Sequence, residues 1–469
     1  MQSCTSALDE KLHSFRSCFT RPGFRHFTHL VTAWLLLRGS HTVSRVLQGA
    51  RRTGSECHHS SVYRFFSHGR WSLDSIGHGL FGLLRPHLSK TVLAIVDDTL
   101  CVKTGRQMFG VGIHHDASRS SYGPRGSRKV ALSFGHCWVV LALRVYCPWN
   151  PERTWAVPVL FRLYRQSSRC SKKEYKKRSQ LACVMIKLVA RWLDNDEQLL
   201  IVGDAAYCCK TVLRGLPKNA HFVGPLPMNA ALHECARPVS GRGRPRRKGF
   251  RIANPRARLK NGRGWKQMNV TMYGRLVRVQ YFSCVCVWYH PAGNRPVRIV
   301  ITRDPKVASE GRAYVCTNPD LSPEAILMTY AHRWQLEVAF RDIKQELGFG
   351  HPRNGWWRRQ AGKRDDPAKR AKRANCRVGK KAVERTAPLA ALAYAFALLW
   401  YFDHGDRHND VARARSHAPW YRQKQDVSFA DMLAAFRRAT WLEELKRMRP
   451  NKSIRQNSED LWLLAGNAA

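Results

Sequence analysis

Two continuous apolar runs, each leading into an aspartate, constrain this chain more than any other feature. Val92-Leu93-Ala94-Ile95-Val96 runs into Asp97, and Leu199-Leu200-Ile201-Val202 runs through Gly203 into Asp204. A run without polar alternation reads as a strand buried on both faces, and such a strand needs a covering layer on each side of its sheet. Between the runs, Cys137–Tyr146 and Trp155–Leu163 read as an antiparallel pair across a turn at Pro148–Pro151. A helix over Tyr175–Leu193 follows. After the second run come a short helix near Lys210–Leu216 and a strand at His221–Val223. The expected fold class is therefore α/β, with a mixed sheet covered by helices.

The flanking sequence has a different texture. Residues 1 to 88 read as helical, with apolar stretches at Phe27–Leu37 and Val43–Leu47, a turn at Gly54, and a helix over Ser60–Phe66 edged by His58, His59, His68 and Arg70. That edge is open to two readings, a helix-turn-helix or a plain helical bundle. Residues 225 to 320 read as a basic, β-rich insertion. Gly241–Lys266 holds eleven Lys or Arg and no acid, and alternating sequence follows from Val270 to Thr302. Residues 351 to 469 read as a basic linker and a helical C-terminal region, in which Ala387–Phe402 is too short for a membrane span and reads as a buried core helix.

Charge narrows the function. Eighty Lys and Arg against 33 Asp and Glu give a formal +47. Neutralising phosphates and releasing their counterions is the use for such an excess, so double-stranded DNA is the expected partner. No amphipathic anchor or lipidation signal points to a membrane. Val31–Leu37 is too short and lies too late for a signal peptide. Fifteen cysteines without one CxxC pair argue against a zinc ribbon and read as reduced thiols of a cytoplasmic protein.

Ser322-Pro323-Glu324 is a helix start, and Gly348 a stop, for an expected helix through Glu346. Tyr330, Arg333, Glu337 and Lys344 are spaced by three, four and seven residues. At about 100° per residue the four fall within roughly 60° of one another, beside the apolar Leu336, Phe340, Ile343 and Leu347.

The row Tyr330-x2-Arg333-x3-Glu337-x6-Lys344 resembles the Y-R-E-K signature of bacterial insertion-sequence transposases of the DDE type, whose catalytic core is RNase H-like and similar to that of retroviral integrases. Val96-Asp97-Asp98-Thr99, at the end of the first strand, and Val202-Gly203-Asp204-Ala205, at the end of the fourth, match the same pattern. The likeness covers roughly residues 90 to 350. It implies an RNase H-like core over 89–224, completed by the helix of 321–350. It also implies cleavage at transposon ends with strand transfer into target DNA, and a synaptic homodimer working on terminal inverted repeats in a bacterial, nucleoid-associated setting. Asp97, Asp204 and Glu337 are the implied catalytic residues and ligands of two Mg²⁺ (or Mn²⁺) ions. Such hard ions prefer carboxylates, and a pair of them suits phosphodiester chemistry. The family pattern Asp-x-Thr selects Asp97 over Asp98, which would then support its neighbour or cap the next turn. Tyr330, Arg333 and Lys344 are implied phosphate contacts. Trp288, with Trp265 as a second candidate, is an implied aromatic platform for a flipped base, and the ordinary alternative for such a Trp is the core.

Other clusters carry blander readings. His114-His115-Asp116 is either a lining of the site or a hairpin turn. Asp403-His404-x-Asp406-x-His408-x-Asp410 reads as a solvated loop, and Arg353–Arg385, with Trp356 and Trp357, reads as a path for DNA. A binding-only relative of the transposases and an RNase H-like nuclease are the rival functions.

Overall fold

The computed structural model describes residues 4–50, 58–105, 108–122, 128–236, 246–304, 310–353 and 377–448. Gly54, the start of the basic run at 241–245, and Trp356 and Trp357 lie outside them. Five helices lead the chain: α1 (Cys4–His13), α2 (Arg21–Leu36), α3 (Val43–Ala50), α4 (His59–Ser67) and α5 (Leu73–Leu84). The core then runs β1 (Thr91–Val102), β2 (Gly112–His115), β3 (Ser121–Tyr122), β4 (Arg128–Lys129), β5 (Leu132–Cys147), β6 (Asn150–Tyr164), α6 (Arg178–Trp192), β7 (Gln198–Gly203), α7 (Lys210–Arg214) and β8 (Ala220–Pro225). Next come β9 (Leu232–His233), β10 (Arg251–Ile252), α8 (Pro255–Leu259), β11 (Lys266–Met272), β12 (Arg275–Val287), α9 (Tyr289–Ala292), β13 (Pro296–Arg303) and β14 (Gly311–Cys316). The chain closes with α10 (Pro323–Ala331), α11 (Trp334–Glu346), α12 (Arg377–His404), α13 (Arg407–His417) and α14 (Phe429–Met448).

One mixed sheet organises these elements. Its central part is ordered β6-β5-β1-β7-β8, with β1, β5 and β6 antiparallel and β7 and β8 parallel to β1. That is the expected mixed sheet covered by helices. The apolar run of β1 is buried from Val92 to Val96, and that of β7 from Leu199 to Val202, as strands covered on both faces must be. The segment after β8 does not fold apart: β14 pairs antiparallel with β8, and β13 and β12 extend the same sheet outward.

Helix α12 binds the helical parts to this core. Its run Leu389–Tyr401 is buried throughout, packed near α2, α4, α14 and β6. By length and composition it could cross a membrane, but 94% of its apolar window is inside the protein. Burying each Leu or Phe there contributes about 1.5–3 kcal/mol, which makes it a core helix. Twelve cysteines, from Cys18 to Cys316, are free thiols.

Two expectations are corrected. The stretch after α12 is a helix–helix junction instead of a solvated loop. Asp406 caps α13 by accepting the Asn409 N–H at 3.1 Å, Asp403 pairs with Lys11, and Asp410 is buried, accepting from Tyr401 Oη at 2.9 Å and pairing with Arg438. The single helix expected over 322–346 is two, interrupted at His332 and Arg333, where tight-turn hydrogen bonds such as Arg333 N to Tyr330 O (3.1 Å) replace the α pattern.

Candidate active site

Register places the first two carboxylates. Val96 of β1 pairs with Gly203, the last residue of β7, so Asp97 and Asp204 stand one step beyond the final pair of two parallel strands. Open α/β sheets place their sites at such carboxyl ends. Strand β1 itself does not stop there. It continues to Val102 along β5, which leaves Asp97 inside a strand, at the point where β1 loses its β7 neighbour.

The two acids side by side point to opposite faces, as strand geometry requires. Asp97 meets α11, where its Oδ2 accepts from Arg333 Nη1 at 3.0 Å; the same nitrogen lies 2.6 Å from Glu337 Oε1. Asp98 meets α6 and the turn after β7. It accepts from Arg178 at 2.9 Å, from Tyr207 Oη at 3.0 Å and from Cys137 Sγ at 3.4 Å. Asp204 accepts the backbone N–H groups of Ala206 (2.9 Å) and Tyr207 (3.3 Å).

These carboxylates are electrostatically short of positive charge. Burial, then the neighbouring Asp204, pushes Asp97 up to about 7, and Arg333 offsets part of this. Burial also raises Asp204, against the pull of its two backbone donors. A buried pair of like charges held by one guanidinium is an arrangement that a further cation would relieve. Among the described residues no three His, Cys, Asp or Glu side chains are already gathered closely enough to hold a metal; Arg333 stands between Asp97 and Glu337.

The rest of the row divides. Tyr330 adjoins Arg333, its hydroxyl held up by burial, and packs its ring 4.9 Å from that of Tyr314. Lys344 lies two turns farther along α11, close to Cys101 and away from the carboxylates. The interruption at His332–Arg333 leaves Tyr330 on α10, Arg333 at the junction, and Glu337 and Lys344, seven residues apart, on one face of α11. Trp288 is 6% exposed and packs in the core, so the core alternative describes it; a base could stack on it only after that packing opened. Trp265 is half-buried, donates its N–H to Asn261 O at 2.7 Å and lies under the Arg303 guanidinium. His114 and Asp116 belong to the β2–β5 pairing, with Asp116 fixed by Ser118 and Ser133, each at 2.6 Å.

The reading of the sequence missed one residue near the row. Tyr273 and Gly274 form the turn between β11 and β12, with φ of 54° and 74°. Two consecutive left-handed residues make the tight hairpin turn that matches strand twist. Tyr273 is the one non-glycine residue with positive φ among those described, an uncommon conformation for a bulky side chain. It stands near enough to Tyr330 and Tyr314 to act on both phenols electrostatically. The signal was available: Tyr-Gly between two alternating stretches.

Behind the interruption, Arg144 Nη1 faces His332 Nε2 at 2.9 Å, and Gln335 Nε2 donates to Thr154 Oγ1 at 2.5 Å. Burial, reinforced by Arg144, pushes His332 down from 6.5 to about 4. The unfolded chain takes up that proton near 6.5 while the folded one refuses it until about 4. Stability conferred by neutral His332 is therefore complete above 6.5 and is lost as pH falls toward 4. Wild type is expected to lose thermal stability relative to His332→Gln across that window, and parallel melting curves for the two proteins would contradict this.

The family described as DDE superfamily endonuclease matches residues 14–280, a span that includes Asp97 and Asp204 and ends before Glu337. No curated protein matches the sequence. Among solved structures, a cryo-EM structure of the piggyBac transposase synaptic complex with hairpin DNA aligns at 11% identity, covering 95% of this chain and 76% of that one, with a TM-score of 0.35.

Proposed function

Because this chain belongs to the DDE superfamily endonuclease family, we propose that it is a DNA transposase of the Tyr-Arg-Glu-Lys insertion-sequence type, which cleaves at transposon ends and transfers the strands to target DNA. The observation that carries this reading is the gathering of acids around Arg333, which bridges Asp97 and Glu337 and acts electrostatically on Asp204.

The donor set fits divalent ions. Three carboxylates offer only hard oxygen ligands, suited to Mg²⁺ or Mn²⁺, and a bound cation would offset the burial that raises Asp97 and Asp204. Asp97, Asp204 and Glu337 would hold two such ions. When bound, they would compensate the charge that develops on the transferring phosphate and its leaving 3′ oxygen. The chain's own residues do the rest. Arg333, once drawn off the carboxylates, has the planar fork that clamps a backbone phosphate, and Lys344 supplies a point charge farther along α11. Tyr330 adjoins the clamp. Tyr273, in place of the buried Trp288, is an exposed aromatic of the insertion that stands beside this row. Asp98 keeps its bonds to Arg178 and Tyr207 and fixes the strand from the opposite face. The partners are the terminal repeats and target DNA, brought together by a homodimer in the bacterial cytoplasm.

The test uses the full-length protein with Mg²⁺, a duplex carrying the element's terminal repeat, and a target plasmid. Cleavage at the terminus followed by joining to the plasmid is expected. Cleavage without joining favours a nuclease, and binding without cleavage in either Mg²⁺ or Mn²⁺ overturns the enzymatic reading. In the same assay Asp97→Asn is expected to be inactive, whereas Asp98→Asn, whose carboxylate is held by Arg178 and Tyr207 on the opposite face, should lose about 10- to 100-fold. Equal losses would contradict the division of labour between the two acids.

A further inference from the structure

We infer that the loop between α13 and α14 is a stacking platform for exposed bases of a DNA strand, separate from the carboxylate site. Trp420 and Tyr421 are adjacent and 77% and 61% exposed, with ring centroids 6.4 Å apart. Large aromatics in such a position usually belong to a floppy segment or to a surface awaiting a partner. This loop is not loosely held. Arg415 donates to Lys424 O at 2.9 Å, and Arg407 donates to Gln425 O at 3.1 Å and to Asp426 at 3.2 Å. Arg153 reaches Asp426 from β6 at 2.5 Å, and Lys424 pairs with Asp431 at 2.5 Å. The backbone is pinned from both flanking helices and from the central sheet, while the two rings face solvent.

The surrounding charge selects the occupant. Arg422 beside the rings and Arg413 and Arg415 on the preceding helix are exposed. The acids closest in sequence, Asp426 and Asp431, are committed to Arg153, Arg407 and Lys424. The hollow itself is lined by Trp420, Tyr421, Arg422, Gln423, Lys424 and Ser428, so aromatic faces and cations share one surface. A protein-docking core is depleted of charge, whereas a groove that holds single strands pairs aromatic faces with cations. Every base has a face to stack, so such a platform tolerates any sequence. The choice of DNA over RNA rests on the DNA-processing reading above. The platform would hold a strand whose bases are unpaired, at a frayed end or a distorted junction.

The experiment measures binding alone, with no cleavage step, of a fluorescein-labelled oligothymidine to full-length protein by anisotropy. The double variant Trp420→Ala/Tyr421→Ala is expected to bind about tenfold or more weakly, since stacking of each base contributes on that scale. Affinity for blunt duplex should change by less than about threefold, because phosphate contacts govern it. Trp420→Phe/Tyr421→Phe, which keeps both rings, should restore binding and guards against a simple folding defect. Cleavage of the terminal duplex, measured on the same preparations, keeps failure of the catalytic reading and failure of this one separately visible. Unchanged oligothymidine affinity in the alanine double variant overturns the platform. So does a variant whose only change is its sedimentation, which would assign the rings to a second copy of the chain.

Discussion

Glu337→Gln is expected to lower DNA cleavage by about a thousandfold or more, because charge compensation by a bound metal contributes several kcal/mol at the transition state and 1.36 kcal/mol is tenfold in rate. Gln keeps the size and one acceptor oxygen but removes the charge. Glu337 is partly exposed and pairs with Arg333 at 2.6 Å. The fold should therefore survive. Binding to duplex DNA should persist or tighten slightly, since removing an acid from the cationic surface reduces repulsion and leaves Arg333 freer for phosphate. Gel-shift and cleavage assays on the same preparation separate the two effects. Parallel loss of binding and cleavage would mean that Glu337 supports the fold, and unchanged cleavage would remove it from the site.

Arg385→Leu is expected to destabilise the protein by about 3–6 kcal/mol, because each buried acceptor left without a donor costs about 1–3 kcal/mol. Arg385 is 8% exposed on α12. Its guanidinium donates to Phe66 O and Gly69 O, each at 3.0 Å, and to Trp71 O, and lies 4.4 Å from the Trp71 ring centre. One planar group thus serves three carbonyls in the chain that leaves α4. Leu fills the volume but satisfies none of them. A loss on that scale is a large part of the 5–15 kcal/mol typical of a domain. Urea unfolding followed by circular dichroism measures it, and a change below about 1 kcal/mol would contradict the account of how α12 holds the N-terminal helices. Arg437 does the same for Leu35 O and Leu37 O, at 2.8 and 2.7 Å.

The parts of this protein that were legible in its sequence are those fixed by local periodicity. Val92–Val96 and Leu199–Val202 announce strands buried on both faces, and the register of β1 with β7 then brings Asp97 and Asp204 together without further information. Ser322 and Gly348 mark the ends of the α10–α11 segment because caps are local chemistry: Ser322 Oγ accepts the Ala325 N–H at 3.1 Å, and Gly348 takes φ of 59°.

What escaped depends on partners distant in sequence. Nothing in Ala331-His332-Arg333-Trp334 forbids a helix, yet it is interrupted there, where Arg144, 188 residues away, meets His332. Strand β1 runs past its acids because β5 goes on pairing with it. Asp410 looked like one of several solvated acids until Tyr401 and Arg438 closed over it. The burial of Trp288 and the hairpin geometry at Tyr273 are likewise properties of the assembled sheet.

The proposed metal site depends most on Asp97 being a ligand, and a change of ligand hardness tests that directly. In Asp97→Cys a thiolate replaces a carboxylate; Mg²⁺ binds sulfur poorly, whereas softer Mn²⁺ accepts it. Cleavage of terminal DNA by Asp97→Cys is expected to be lost in Mg²⁺ and regained in Mn²⁺, while Asp98→Cys shows no such dependence on the ion. A variant at Asp97 that stays equally dead in both metals, together with manganese rescue at Asp98, would contradict the assignment and transfer the ligand to the neighbouring acid.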